Sequence, residues 1–117
     1  MAEKNYKIHN GITVTEQVLA DIAGLAATDV EGVACLNGGL TRETVAKAGA
    51  AKVNKAVRVI GNEDGSVTAQ LIIVVDYEHS IVKVSEQVQE KVKDTLEDMT
   101  DLTVKAVDVK VSNVSMK

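Results

Sequence analysis

Val67-Thr68-Ala69-Gln70-Leu71-Ile72-Ile73-Val74-Val75-Asp76-Tyr77 is the stretch that decides the fold. Side chains of an extended strand alternate between faces, so Val67, Ala69, Leu71, Ile73, Val75 and Tyr77 line one apolar face. Thr68, Gln70, Ile72, Val74 and Asp76 line the other, which is polar near its ends and apolar in the middle. A strand that is apolar on both faces at its centre belongs inside a sheet, or has its second face covered. Gly61-Asn62-Glu63-Asp64-Gly65 just upstream is rich in turn formers, so residues 56–60 are expected to pair with this strand as a hairpin.

Downstream, Ser80 is placed to cap a helix in which Ile81, Val84, Val88, Val92, Leu96 and Met99 recur every three or four residues. Lys83, Glu86, Glu90, Lys91, Asp94, Glu97 and Asp98 occupy its other face, and Lys93 can pair with Glu90 or Glu97. A last strand over residues 102–111 alternates Val107, Val109 and Val111 with Asp108 and Lys110. Upstream, residues 12–14 form a short strand and Thr15 caps a helix carrying Val18, Leu19, Ile22, Ala23, Leu25 and Ala26. Gly24 within it is expected to permit a close backbone contact. Residues 30–36 follow as a strand bulged at Gly32 and ended by Asn37-Gly38-Gly39. Residues 40–54 are expected to form a loosely packed helical excursion, begun at Thr41, carrying Val45 and Ala48 and interrupted at Gly49.

This order predicts an α+β fold: a two-layer sandwich with one mixed or antiparallel sheet and two main helices on one face. Residues 12–114 form a single domain, and residues 1–11 an N-terminal segment that is part strand or disordered.

The length of 117 residues suits one domain with one modest core. A single cysteine, Cys35, excludes an internal disulfide framework. The charged N-terminus lacks the apolar run of a signal peptide, and no stretch is apolar for the ~18 residues a membrane span needs. A net charge of −4, two tyrosines and no Phe or Trp disfavour nucleic-acid binding, since no stacking platform can be built.

Chemistry-bearing residues are sparse. His9 and His79 stand in no metal-ligand spacing. Cys35 follows apolar Val33 and Ala34 without a basic neighbour, so it is expected to be a buried, inert thiol. The glycines match neither a dinucleotide nor a phosphate-loop pattern, and Asp64 lies in a turn that does not fit a calcium loop. No catalytic residue, metal ligand or cofactor is expected.

Two features point to interaction instead. Arg42, Lys47, Lys52, Lys55 and Arg58 against the lone Glu43 give residues 41–58 a charge of +4 inside an acidic chain. Such a segment suits an acidic partner or an anionic membrane surface, and otherwise is an ordinary solvated face. Ile72 and Val74 would leave an apolar strip on the outer sheet face, to be covered by a partner, by a second copy, or by Tyr6-Lys7-Ile8 folding across it.

Together these segments resemble the alkaline-shock-protein family of Gram-positive bacteria. The resemblance rests on Ile12-Thr13-Val14-Thr15-Glu16-Gln17-Val18, on Ile22-Ala23-Gly24-Leu25-Ala26-Ala27 and on Val30-Glu31-Gly32-Val33-Ala34. It continues through Leu71 to Tyr77, Val84 to Val92 with Gln89, Met99-Thr100, and the valines at 104, 107, 109, 111 and 114. Glu78, Asp101 and Asn113 stand where the family usually has glycine. Asp101 and Asn113 tolerate left-handed backbone, whereas Glu78 does so poorly. The resemblance implies a non-enzymatic cytoplasmic protein of the general or envelope stress response that self-associates. It also implies recruitment to the inner face of the membrane by an anchored protein partner. A cytoplasmic regulator that binds an enzyme of fatty-acid synthesis is the second implied role. A small ligand-binding domain remains a third reading.

Overall fold

The computed structural model describes residues 5–9, 11–45 and 47–116; the side chain of His9 lies outside the described residues. Among the described residues six strands and four helices follow in the order β1 (Asn5–His9), β2 (Ile12–Thr15), α1 (Glu16–Thr28), β3 (Val33–Leu36), α2 (Arg42–Val45), α3 (Ala50–Asn54), β4 (Val57–Gly61), β5 (Val67–Asp76), α4 (Ile81–Thr100) and β6 (Val104–Ser115).

β5 is the axis of the molecule. Val67, Ala69, Leu71, Ile73 and Val75 are fully buried on its inner face. Along one edge it pairs in parallel with β6, from Val67↔Val104 to Asp76↔Ser115. Two antiparallel strands share its other edge end to end: β4 against residues 67–71 and β3 against residues 73–75. The sheet is therefore mixed. A strand has only two edges, so β6 running the length of one forces β3 and β4 onto the other.

α1 and α4 cover the inner face. Thr15 Oγ1 accepts from the N–H of Val18 at the start of α1, and Ser80 Oγ from that of Lys83 at the start of α4. These caps satisfy N–H groups that the first turn leaves without helical partners. Leu19, Ala20, Ala23, Ala26 and Ala27 of α1 meet Val84, Val88, Val92 and Leu96 of α4 in one aliphatic core over the sheet. Gly24 does permit a close approach, as a methyl there would stand 3.3 Å from Leu36 Cδ1 and 3.4 Å from Val57 Cγ2.

The structure corrects several details of the sequence reading. Residues 30–32 are turn rather than strand, and β3 begins at Val33. Residues 40–54 are better packed than expected, because Val45 and Val53 of α2 and α3 are fully buried against α1. Ile81 and Met99 match the helical period but are 46% and 62% exposed, so the buried apolar stripe of α4 is Val84, Val88, Val92 and Leu96 alone. Tyr77 is likewise 64% exposed, because β5 ends at Asp76. Lys93 forms no ion pair with Glu90 or Glu97; Glu97 turns to the N–H of Val104, accepting it at 3.0 Å.

Asp101 takes up the left-handed conformation (φ +60°) that ends α4, while Asn113 lies within β6 and Glu78 enters its turn without a positive φ. Left-handed backbone costs a residue with a Cβ about 1 kcal/mol, somewhat less for aspartate. Asp101→Gly is thus expected to raise stability by about 0.5–1 kcal/mol in urea denaturation; a loss would show that the aspartate side chain contributes more than it strains.

The N-terminal strand does not cover the outer strip. β1 pairs with β2, and the Tyr6 hydroxyl donates to Glu16 Oε2 at 3.2 Å. Its ring lies against Gly61, where an added methyl would sit 2.7 Å from Tyr6 Cε1. Gly61 pairs with Val67, five residues and therefore about 16 Å along the strand from Ile72.

Candidate interaction surface

The face of the sheet away from α1 and α4 is built by register. Side chains at paired positions share a face, so Ile60, Thr68 and Ala106 form one row across the strands. Arg58, Gln70 and Asp108 form the next, then Ile72 with Lys110, then Cys35, Val74 and Asn113. Ile72 and Val74 are half-buried, and Arg58, Gln70, Asp108 and Lys110 are exposed.

A groove of about 300 Å³ runs across this face. Ala56 and Ile72 contribute apolar lining; Asn54, Lys55 and Arg58 lie on one side, Asp108 and Lys110 on the other. Asn37 Nδ2 donates to the carbonyl of Lys55 at 3.1 Å, which fixes the backbone where α3 gives way to β4. No carboxylate of the described residues lies within ion-pair distance of Lys55, Arg58 or Lys110. Arg58 and Asp108 are held two strands apart, about 10 Å between backbones. Three cations and one carboxylate thus frame the apolar lining, with a local charge of +2 in a chain of −4.

The structure divides the basic segment. Lys55 and Arg58 join Ile72 in the groove. Arg42 is instead paired with Asp29 just beyond the C-terminal end of α1, and Lys47 and Lys52 are exposed without ion-pair partners among the described residues. Val74 lies on the same face, one row beyond Ile72. Lys110 and Asp108 had been legible only as the polar side of the last strand. Their place beside Ile72 and Gln70 depends on the parallel pairing of β5 with β6, which no local pattern encodes.

The candidate chemical groups stand apart from this groove. Cys35 is half-buried on the outer face rather than fully buried. Partial burial first, and the nearby Asp76 carboxylate second, push its thiol pKa up from the ordinary cysteine value. Both disfavour the thiolate that does cysteine chemistry. Cys35 is therefore expected to react with iodoacetamide several-fold more slowly than a cysteine peptide at pH 8, followed by mass spectrometry; a faster rate would refute an inert thiol. His79 lines a shallow depression of about 150 Å³ with Asp76, Tyr77, Glu78 and Ser115. Its Nε2 is 3.9 Å from Glu31 Oε2, and its buried Nδ1 has no hydrogen-bond partner among the described residues. Asp64 is held below the usual carboxylate range by Ser66, whose hydroxyl and N–H both donate to it. Those bonds shape the β4–β5 turn. Among the described residues no three His, Cys, Asp or Glu side chains gather closely enough to hold a metal ion, and no helix is long and apolar enough to cross a membrane.

Comparison with known proteins agrees with this architecture. The model of the alkaline-shock-protein-23 family, described by a cell envelope-related function, matches residues 4–116. The uncharacterised protein YqhY of Bacillus subtilis (strain 168) is 32% identical over 103 residues, 88% of this chain and 76% of YqhY. Spy1535 of Streptococcus pyogenes serotype M6 is 33% identical over 103 residues, 88% of this chain and 78% of that protein. A stress response regulator gls24 homologue of Streptococcus pyogenes serotype M3 is 30% identical over 112 residues, 94% of this chain and 62% of its own length. Among solved structures, a variant of the MamM C-terminal domain superposes with a TM-score of 0.51 at 16% identity, over 83% of this chain and 93% of that one. That is a likeness of fold alone.

Proposed function

Because the chain belongs to the alkaline-shock-protein-23 family, whose function is related to the cell envelope and which is not one of enzymes, we propose that it serves the stress response by binding other proteins. In this reading it associates with itself and is held at the inner face of the membrane by an anchored partner. Stress response is the role named for the Streptococcus relative that aligns with 94% of this chain.

One observation carries the proposal: Lys55 and Arg58 stand without ion-pair partners among the described residues beside half-buried Ile72, on the sheet face that α1 and α4 leave free. Leaving cations beside apolar surface costs little in water and gains when an acidic, partly apolar segment docks. Burying the apolar lining then contributes roughly 25 cal/mol per Å², and the cations select a carboxylate-bearing partner. Ile72 and Val74 supply the apolar contact, and Lys55 and Arg58 the charge. Lys47 and Lys52 extend the positive field beyond the groove and raise the encounter rate with an acidic partner or an anionic membrane surface. Arg42, paired with Asp29, contributes less.

The test is fractionation of the native cell under envelope stress. The wild-type chain is expected in the membrane fraction, and Lys55→Glu with Arg58→Glu is expected to move it to the soluble fraction at unchanged abundance. Equal partition of the two chains would refute the groove as the docking site. Capture of an enzyme of fatty-acid synthesis by the same groove, with no membrane fraction at all, would replace this reading with the regulatory one.

A further inference from the structure

We propose that two copies of this chain join edge to edge through β6, antiparallel and centred on Val109, so that Asp108 of each copy faces Lys110 of the other. The inference rests on the self-association proposed above and adds the surface and register that produce it.

β6 spends one edge on β5, and the two halves of its other edge differ. Near its start, the N–H of Val104 donates to Glu97 Oε2 at 3.0 Å, and Gln89 Nε2 donates to the carbonyl of Val107 at 3.0 Å. Side chains of α4 thus cap that half. The carbonyl of Val107 points away from β5, and the backbone groups of every second residue of a strand point to the same side. Register shifts lie before Ala106 and after Val111, so the alternation is unbroken between them. Val109 and Val111 therefore turn their N–H and C=O groups to the free edge, where no strand of the described residues meets them. An open edge of this kind is a template for another strand unless it is blunted.

The sequence at that edge is complementary to itself. Val107-Asp108-Val109-Lys110-Val111, laid antiparallel on a second copy about Val109, sets Val107 against Val111 and Asp108 against Lys110, twice over; the Val107 carbonyl, already accepting from Gln89, takes the Val111 N–H on its second lone pair. The two Val109 residues exchange N–H···O=C bonds at the dyad. The charged pairs then fall at the non-hydrogen-bonded positions, where side chains approach most closely. Asp108 and Lys110 are exposed and have no ion-pair partner within the described residues. Val109 and Val111 are only half-buried, and the second strand would complete their cover. Neighbouring registers lose the match: centring on Lys110 sets lysine against lysine, and centring on Val111 sets Lys110 against Ser112. The pairing also joins two sheets into one, so both grooves lie side by side on a continuous outer face.

Sedimentation velocity of the full chain over a concentration series tests the register. Lys110→Asp and Asp108→Lys each place like charges opposite one another twice, and each is expected to weaken dimerisation by at least about tenfold. The double exchange, Asp108→Lys with Lys110→Asp, rebuilds both pairs in reverse and is expected to restore the wild-type constant. A dimer indifferent to the single changes, or one not restored by the double exchange, overturns this register while leaving self-association standing. A wild-type chain that sediments as a monomer at every concentration overturns both.

Discussion

Gly32→Ala is expected to destabilise the fold by about 3 kcal/mol or more, a large share of the 5–15 kcal/mol that holds a domain together. Two separate penalties meet at this position. Its φ of +99° is a conformation that side chains rarely adopt, and an added methyl would lie 2.6 Å from Val84 Cγ2 and 3.0 Å from His79 Cδ2. The first penalty is conformational and the second steric. Neither neighbour can withdraw freely. Val84 is buried in the first turn of α4, and the carbonyl of Gly32 is tied to the N–H of Asp76 at 2.8 Å. Gly38 supplies the control, since its φ is +84° but no atom of the described residues lies within 4 Å of an added methyl. Gly38→Ala should therefore cost only the conformational part, about 1 kcal/mol. Urea denaturation of the two variants separates the penalties. Equal losses would mean that the contact with Val84 relaxes at no cost.

Ile73→Ala is expected to cost about 2–5 kcal/mol, and Ile72→Ala less than about 1 kcal/mol, although the residues are adjacent and identical. Ile73 is fully buried on the inner face, where deletion leaves a cavity between the sheet and the helices. Ile72 is half-buried on the outer face, where water fills the space. Melting curves of the two variants test the assignment of faces throughout β5. A reversal of the order would mean that the strand is turned over, which would also take Lys110 and Arg58 out of the groove. Ile72→Ala is expected instead to weaken partner binding.

That contrast was legible in the sequence because burial alternates along a strand with period two, and residues 67–77 carry the alternation over several repeats. The caps at Thr15 and Ser80 and the aliphatic spacing of α4 were equally local, hence readable. What escaped was non-local. Gly32 looks like a bulge within a strand, and only its packing against Val84 and His79 reveals why a glycine is needed there. Ile81 and Met99 satisfy the helical period, yet both stay largely exposed, because period alone does not say where along a helix its tertiary cover stops. The basic segment was visible as a run of charge, yet the fold scatters it: Arg42 turns to Asp29 while Lys55 and Arg58 reach the outer face. Lys110 completes the groove from a strand more than fifty residues downstream of Lys55. Its role follows from the parallel pairing of β5 and β6, a choice made by the whole sheet rather than by either strand.

As proposed, this chain works by contact through its outer sheet face and not by catalysis. Complementation of a strain lacking the chain, measured as survival under envelope stress with variant abundance matched by immunoblot, tests it most directly. A chain carrying Cys35→Ala and His79→Ala is expected to restore survival fully, and one carrying Lys55→Glu, Arg58→Glu and Ile72→Asp is expected to restore none. Loss of function in the first with full function in the second would contradict the account.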